Sequence, residues 1–177
     1  MGYLWREIHG MIFHNFTEIP DDFGYDIETT LREYEIKKID LRPSPLCTRI
    51  GISALTNFEA LEELYLPSGL KYIGDGAFYG LESLKTLELP EGLLEFENSP
   101  FGDMHSLETI TLPVSLRDAG DRPFYGGNIL KTAEIKCAYF FGSKVFAGCP
   151  VLEKVWIRDT CKEISGDPFT KAPENVV

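Results

Sequence analysis

The sequence predicts a mostly β protein with little α-helix, folded as a solenoid of about six coils with a parallel sheet on its concave face. The main observation is a repeat, because the segments 61–83, 84–106 and 107–129 align without a gap and are each 23 residues long. A second observation is that residues of one class return at the same offset in every segment. A single segment of this length cannot bury its own apolar side chains, so stacked neighbours must bury them together.

The alignment defines columns of inward-facing residues. A leucine opens each segment, and apolar residues follow three and five positions later. These columns are Leu61, Leu84, Leu107, Leu130 and Leu152; Leu64, Leu87, Ile110, Ala133 and Val155; and Leu66, Leu89, Leu112, Ile135 and Ile157. A further column is aromatic and consists of Phe78, Phe101, Phe124, Phe146 and Phe169. Because inward and outward residues alternate over 87–89, a short strand is predicted there, and Pro90 ends its hydrogen bonding.

The repeat extends in both directions from the three central segments. Residues 36–60 fit it with a two-residue insertion, and residues 130–151 fit it with one deletion. A last segment covers 152–177. We therefore assign 36–177 to one solenoid domain, and we number its coils from the first (36–60) to the sixth (152–177).

The second half of each coil, typified by residues 70–81, has no helical period. Its glycines, among them Gly74, Gly76 and Gly80, are typical of turns. We expect extended or 3₁₀-like backbone in this half of the coil.

Residues 1–35 do not follow the period and are predicted to cap the first coil. The segment 26–35 predicts a short amphipathic helix, because Asp26 is a candidate N-cap and apolar residues share one face of the helix. Residues 11–16 are apolar enough to form a strand. The cap and the solenoid are expected to form a single domain.

The C-terminal end of the repeat region presents an uncovered edge. Residues 168–177 reproduce the end of the preceding coil and then stop near the start of another strand. An uncovered parallel edge promotes association. Three explanations stay open: the chain continues in a longer protein, this edge packs on a partner, or it mediates self-association with a second copy.

The segment 61–81 resembles the repeats of the BspA-like bacterial surface-protein family, whose leucine-rich unit reads Leu-x-x-Ile-x-Leu-Pro-x-x-Leu-x-x-Ile-Gly-x-x-Ala-Phe-x-x-Cys. The residues that carry the resemblance are Leu61, Leu64, Leu66, Pro67, Leu70, Ile73, Gly74, Ala77 and Phe78. The similarity covers roughly residues 36–177, although prolines replace the alanine before phenylalanine at Pro100, Pro123 and Pro168. It implies a horseshoe-like leucine-rich-repeat solenoid, a protein-binding or adhesive role, and a cell-surface or secreted location in a host-associated bacterium. It implies no catalytic residues.

Composition and charge exclude several classes of function. The net charge is −11, from 17 basic and 28 acidic residues, and no basic stripe is present, which argues against nucleic-acid binding. No segment has the 18 or so consecutive apolar residues of a membrane span, so we expect no membrane insertion. The N-terminus lacks a secretion signal, and if that absence is genuine the protein is cytoplasmic. An acidic surface attracts a basic protein partner.

The residue types that carry catalysis or bind metals form no motif in this sequence. Three histidines, His9, His14 and His105, are read as surface residues. The four cysteines form no Cys-x-x-Cys pair, which weakens a zinc or redox interpretation. We expect reduced thiols, while a disulfide between Cys137 and Cys161 stays an alternative. We therefore predict no catalytic residues, no metal site and no cofactor.

The outward face of the predicted strands is the best candidate for a binding surface. One outward position of each coil forms the column Asp40, Tyr65, Glu88, Thr111, Glu134 and Trp156. Tyrosine and tryptophan are favoured in interfaces because they bring a large contact area at a low entropy cost. We therefore predict a non-enzymatic module that binds a protein of unknown identity, as an adhesin or in another interaction with a host or partner. Two alternatives stay open, a small cytoplasmic inhibitor or immunity-type protein and a structural spacer of a longer surface protein.

Overall fold

The chain folds into a parallel-strand β-solenoid of about six turns, as the sequence predicts. The computed structural model of the protein describes residues 4–7, 10–13, 16–24, 36–56, 58–127, 129–174 and 176. These residues are mostly β with essentially no helix. The helix expected at 26–35 lies outside the described residues.

Short strands recur along the whole described chain, and each one belongs to a sheet. In chain order they are β1 (Leu4–Glu7), β2 (Gly10–Phe13), β3 (Glu18–Ile19), β4 (Lys38–Asp40), β5 (Arg49–Ile50), β6 (Glu63–Tyr65), β7 (Tyr72–Ile73), β8 (Glu95–Phe96), β9 (Thr109–Leu112), β10 (Asp118–Asp121), β11 (Thr132–Ile135), β12 (Tyr139–Ser143), β13 (Lys154–Ile157) and β14 (Glu163–Asp167).

The strands predicted from the Leu-x-Leu pattern form in every coil except the third, and together with β1 and β2 they make two sheets on one side of the solenoid. The strand predicted at 87–89 is wrong, because these residues form no strand in the described part of the chain. A four-stranded sheet has the order β1-β2-β4-β6, and a three-stranded sheet has the order β9-β11-β13. Strands from successive coils pair in parallel, whereas β1 and β2 pair antiparallel. We call the outward surface of these two sheets, together with residues 85–89 between them, the strand face.

The second half of each coil also contains a strand, which the sequence pattern predicted only as extended or 3₁₀-like backbone. Together with β3, which precedes the first coil, these six strands form a seven-stranded sheet of order β14-β12-β10-β8-β7-β5-β3. Every pair in it is parallel. Its inward positions are apolar in each coil, as at Ile50, Ile73 and Phe96, which are at most 2% exposed. Stacking these side chains at the spacing of adjacent coils brings the backbones within hydrogen-bonding distance.

The described residues before the first coil join the same two ladders. Strand β2 pairs in parallel with β4, and β3 pairs in parallel with β5. The strand β2 overlaps the apolar segment 11–16, and Ile19 of β3 is fully buried in the column that continues with Ile50. The division of the chain at residue 35 stays a prediction, and these pairings show that residues on both sides of it share one core.

A stack of phenylalanine rings runs through the interior. Adjacent rings of the predicted aromatic column lie 5.4 to 6.1 Å apart between centroids, with interplanar angles of 11° to 20°. The four rings from Phe78 to Phe146 are at most 2% exposed. The column therefore links successive coils through side chains, as the two ladders link them through the backbone.

Removing a ring from the middle of this stack should destabilise the protein strongly. Phe124 contacts a ring on each side, so Phe124→Ala leaves a cavity between two neighbouring coils. We expect a loss of about 3–5 kcal/mol in the free energy of unfolding, measured by urea denaturation. The control Leu46→Ala, at a leucine that is 74% exposed, should change it by less than about 0.5 kcal/mol. Similar unfolding midpoints for the two variants would contradict the stacked column.

Candidate binding surface on the strand face

The register of the strand-face sheets brings the predicted column of outward residues together. Asp40 pairs with Tyr65 across β4 and β6, and Thr111, Glu134 and Trp156 are paired in line across β9, β11 and β13. Trp156 is 45% exposed, the largest exposure of an apolar side chain in this column. The strands are short, but the parallel register holds each outward side chain beside its equivalent in the next coil.

Asp40 is far less accessible than its outward position suggests. It is only 8% exposed, because the Arg42 side chain covers it with two hydrogen bonds, from Nε to Oδ1 at 2.9 Å and from Nη2 to Oδ2 at 2.5 Å. These bonds hold the pKa of the Asp40 carboxyl below its ordinary value of 3.8, and burial opposes them. At this position of the column, the accessible charged group is therefore the guanidinium of Arg42 and not the Asp40 carboxylate.

Tyr65 lies under two cations. The Arg42 guanidinium carbon is 4.0 Å from the ring centroid and Lys38 Nζ is 5.2 Å from it. The hydroxyl of Tyr65 donates a hydrogen bond to Glu63 Oε2 at 2.8 Å, so the side chain is held at its hydroxyl as well as over its ring. Cation–π contacts and this bond hold the ring in one orientation. Arg42 was not among the predicted site residues, although its position two residues after the first-coil strand could have indicated it.

The strand-face ladder is interrupted at the third coil. In the part of the chain that the structure describes, residues 85–89 form no strand and make no backbone hydrogen bond to the second or fourth coil. A groove of about 960 Å³ opens over this interruption. Arg42 lies at its first-coil end, residues 86–91 form its middle, and Lys136 lies at its fifth-coil end. Tyr65 and Thr111 also line the groove.

The third coil differs from its neighbours in its inward side chains. The third coil combines Leu87 in the strand column with Phe96 in the second ladder, where Phe96 packs edge-on against Phe101 at 5.3 Å between centroids. The fifth coil also carries a phenylalanine, Phe140, in the second ladder, but it has Ala133 in the strand column and pairs normally. The ladder that contains Phe96 is nevertheless unbroken, because β8 pairs with both β7 and β10.

A second groove, of about 480 Å³, adjoins the first on the same face. Thr109 and Thr111 line both grooves, and Trp156 lies in the second one. Lys154 Nζ is 5.1 Å from the centroid of the Trp156 ring. Arg158 Nε donates a hydrogen bond to Glu134 Oε1. Five of the six predicted column residues thus line one groove or the other. Asp40 lines neither groove, but Arg42, which is bonded to it, lines the first one.

Catalytic and metal-binding residue types do not converge in the described residues. No group of three or more histidine, cysteine, aspartate or glutamate side chains there could hold a metal ion. His105 lies on the surface with Nδ1 4.0 Å from Glu82, while His9 and His14 fall outside the described residues. No helix with the length and apolarity needed to cross a bilayer occurs in the described part of the chain.

The four cysteines are free thiols that serve as packing residues. Three of them are buried, whereas Cys161 is partly exposed. Burial raises the pKa of the Cys149 thiol to about 12 and that of Cys137 to about 11, and it also raises the pKa of Cys47. A thiol with a raised pKa is a poor nucleophile near neutral pH.

Comparison with known proteins identifies the repeat and the fold. The sequence profile of the BspA type Leucine rich repeat region matches residues 48–174 in 6 copies. A leucine-rich repeat protein of T. pallidum, TpLRR, has a similar crystal structure, with a TM-score of 0.65 and 19% identity over 86% of this chain and 87% of TpLRR. The pneumococcal vaccine antigen PcpA has a TM-score of 0.56 and 18% identity over 86% of this chain, which spans only 51% of that antigen's structure. No curated protein matches the chain.

The covered carboxylate should make stability depend on pH. Because the folded-state pKa of Asp40 is lowered, its charge stabilises the fold above about pH 4, and this stability is lost as the pH falls through the lowered value. Asp40→Asn should therefore reduce the urea midpoint at about pH 7 and have a smaller effect at about pH 2.5. Glu153→Gln, which alters an exposed carboxylate, should change the urea midpoint by the same small amount at both pH values. Equal effects of Asp40→Asn at the two pH values would contradict the assignment.

Thiol reactivity should follow burial. In the native protein at about pH 8, Ellman's reagent should react quickly with Cys161 alone and with the other three thiols only after unfolding. Cys161→Ser should remove the fast phase and leave the slow one. Fewer than four thiols titrated in guanidinium would show that a disulfide is present instead.

Proposed function

This chain belongs to the BspA-type leucine-rich repeat family, and we propose that it is a non-enzymatic module that binds another protein through its strand face. The observation that supports this most directly is the pair of adjacent grooves on that face, one lined by Tyr65 and the other by Trp156. Leucine-rich repeat solenoids generally bind proteins and are generally not enzymes. Repeat solenoids provide extended surfaces suited to this use.

The two aromatic residues are suited to anchor a partner. Each ring already has a basic side chain over it, Arg42 over Tyr65 and Lys154 over Trp156, so little side-chain entropy remains to be lost on binding. Interface hot spots are enriched in tyrosine, tryptophan and arginine. The column spans six coils, which is about 25 Å at the spacing of parallel strands, a length that suits an interface of ordinary size.

The charge of the protein favours a basic partner. The net charge is −11, and a negative protein associates faster with a positive surface. We propose a role in adhesion or in another interaction with a host or partner protein, at the cell surface or after secretion. The family supports this role.

A comparison of two matched variants tests the strand face as the binding surface. The face variant combines Tyr65→Ser, Glu88→Gln, Glu134→Gln and Trp156→Ser. The control variant also replaces two aromatic residues with serine and two glutamates with glutamine, but on the outward side of the second ladder, and combines Tyr72→Ser, Glu95→Gln, Tyr139→Ser and Glu163→Gln. Each variant is used for affinity capture from bacterial and host lysates, and captured proteins are quantified by mass spectrometry after circular dichroism has verified folding.

We expect the face variant to lose at least about tenfold of each specifically captured protein, because removing anchors of an interface costs more than 1.4 kcal/mol. The control variant should capture as the wild type does. An identical profile for all three proteins would contradict this function and would favour a structural spacer.

A further inference from the structure

We propose that Cys137 and Cys161 are a redox-sensitive pair, which a low-molecular-weight disulfide oxidises to an intramolecular bond that joins the sixth coil to the fifth and stabilises it. Both residues are free thiols in the structure. The inference assigns a modification site to this pair and does not depend on the proposed function.

The first step of the argument is the register of the two cysteines. Strands β12 and β14 pair in parallel along their whole length, and just before them the amide of Lys162 donates a hydrogen bond to the carbonyl of Ala138 at 2.7 Å. Extending the register of the strands by two residues places Cys137 opposite Cys161. Residues in register on neighbouring parallel strands point to the same side and lie about 4.8 Å apart, and the Cα atoms of a disulfide are usually about 4.4 to 6.8 Å apart.

The second step is the position that the pair occupies in its coils. Leu70, Leu93 and Leu116 have the equivalent position in the second to fourth coils and are at most 1% exposed, so side chains at this position stack inside the solenoid. Cysteines in two successive coils place two thiols in the same stack. Burial raises the pKa of the Cys137 thiol to about 11, and the nearby Cys161 adds to this rise.

The other two cysteines serve as internal controls. Cys47 belongs to the same stack, but the register of β5 and β7 places it beside Leu70 in the second coil. Cys149 lies elsewhere in the interior, with its Sγ 3.4 Å from the carbonyl oxygen of Phe124. Only the fifth and sixth coils therefore place two of the four cysteines opposite each other.

The third step is access to the pair and the need for a link. Cys161 is partly exposed and can meet a small molecule in solution, whereas Cys137 is buried. Within the described residues, β14 pairs with β12 only, while β12 also pairs with β10. The sixth coil thus has fewer ladder contacts in this sheet than the fifth coil. A covalent link between the two coils compensates for that difference.

The oxidation consists of two thiol–disulfide exchanges. The Cys161 thiolate attacks one sulfur of the small disulfide, and the first small thiolate leaves. The Cys137 thiolate then attacks Cys161 Sγ and displaces the second small thiolate. The leaving thiolates take up the two protons that the protein thiols release, so two protein thiols are oxidised and one small disulfide is reduced to two small thiols. The second exchange is slow, because a buried thiol with a raised pKa supplies little thiolate, and the Ellman titration above records only the first.

The experiment is an overnight oxidation of the reduced, folded full chain with oxidised glutathione at about pH 8. Remaining thiols are then blocked with N-ethylmaleimide in guanidinium. Mass spectrometry of the intact protein counts them, and mass spectrometry of its proteolytic peptides identifies linked cysteines. The variants are Cys137→Ser and Cys161→Ser, with Cys47→Ser and Cys149→Ser as matched controls, and circular dichroism verifies that each is folded.

We expect the oxidised wild type and both controls to contain one disulfide, between Cys137 and Cys161. Cys137→Ser should stop at a glutathione adduct on Cys161, because no second thiol displaces the glutathione. Cys161→Ser should form neither the adduct nor the disulfide. The oxidised wild type should have a Tm at least about 3 °C above that of the reduced protein, because a cross-link constrains the unfolded chain, and dithiothreitol should reverse the increase.

Four outcomes for the wild type would overturn the inference. They are four free thiols after oxidation, a glutathione adduct on Cys161 that never proceeds to the disulfide, a disulfide that involves Cys47, Cys149 or a second chain, and a Cys137–Cys161 disulfide that leaves the Tm unchanged. Because each of these is measured on the wild type, the test remains decisive if a serine variant does not fold.

Discussion

The stacking of one coil on the next is the interaction on which the whole structure depends. No coil encloses its own apolar residues, so burial and hydrogen bonding are both completed by neighbours 22 to 25 residues away in the chain. Two parallel ladders and the column of phenylalanine rings act together, because all three require nearly the same separation between coils. At the third coil the second ladder and the ring stack continue where the strand-face ladder is interrupted.

The binding surface is a result of the same stacking. A register that places inward residues in columns must also place outward residues in columns, so the strand face presents Tyr65, Thr111 and Trp156 beside their equivalents. At the coil that combines Leu87 with Phe96, the strand-face ladder is interrupted and a groove opens. The packing of the core and the shape of the surface are thus determined together.

Most ion pairs on this face join side chains of neighbouring coils. Lys37 with Glu62 and Lys131 with Glu108 form ion pairs across adjacent coils, and Arg158 bonds to Glu134. Exposed pairs of this kind contribute little to stability, and their main effect is to orient long side chains. Within the described residues, Lys85 and Glu88 of the interrupted coil form no ion pair.

The sequence by itself determined the repeat, the inward columns and the identity of the outward residues, because each depends only on the period and on the alternation of side chains along a strand. The ladder through the second half of the coils, the interruption at residues 85–89 and the covering of Asp40 by Arg42 were decided by the tertiary structure. The physical reason is that these features depend on distances between coils. Such distances are set by the summed volume of inward side chains and by contacts between neighbouring strands, and the third coil has the same Leu-x-Leu-Pro pattern as coils that pair normally.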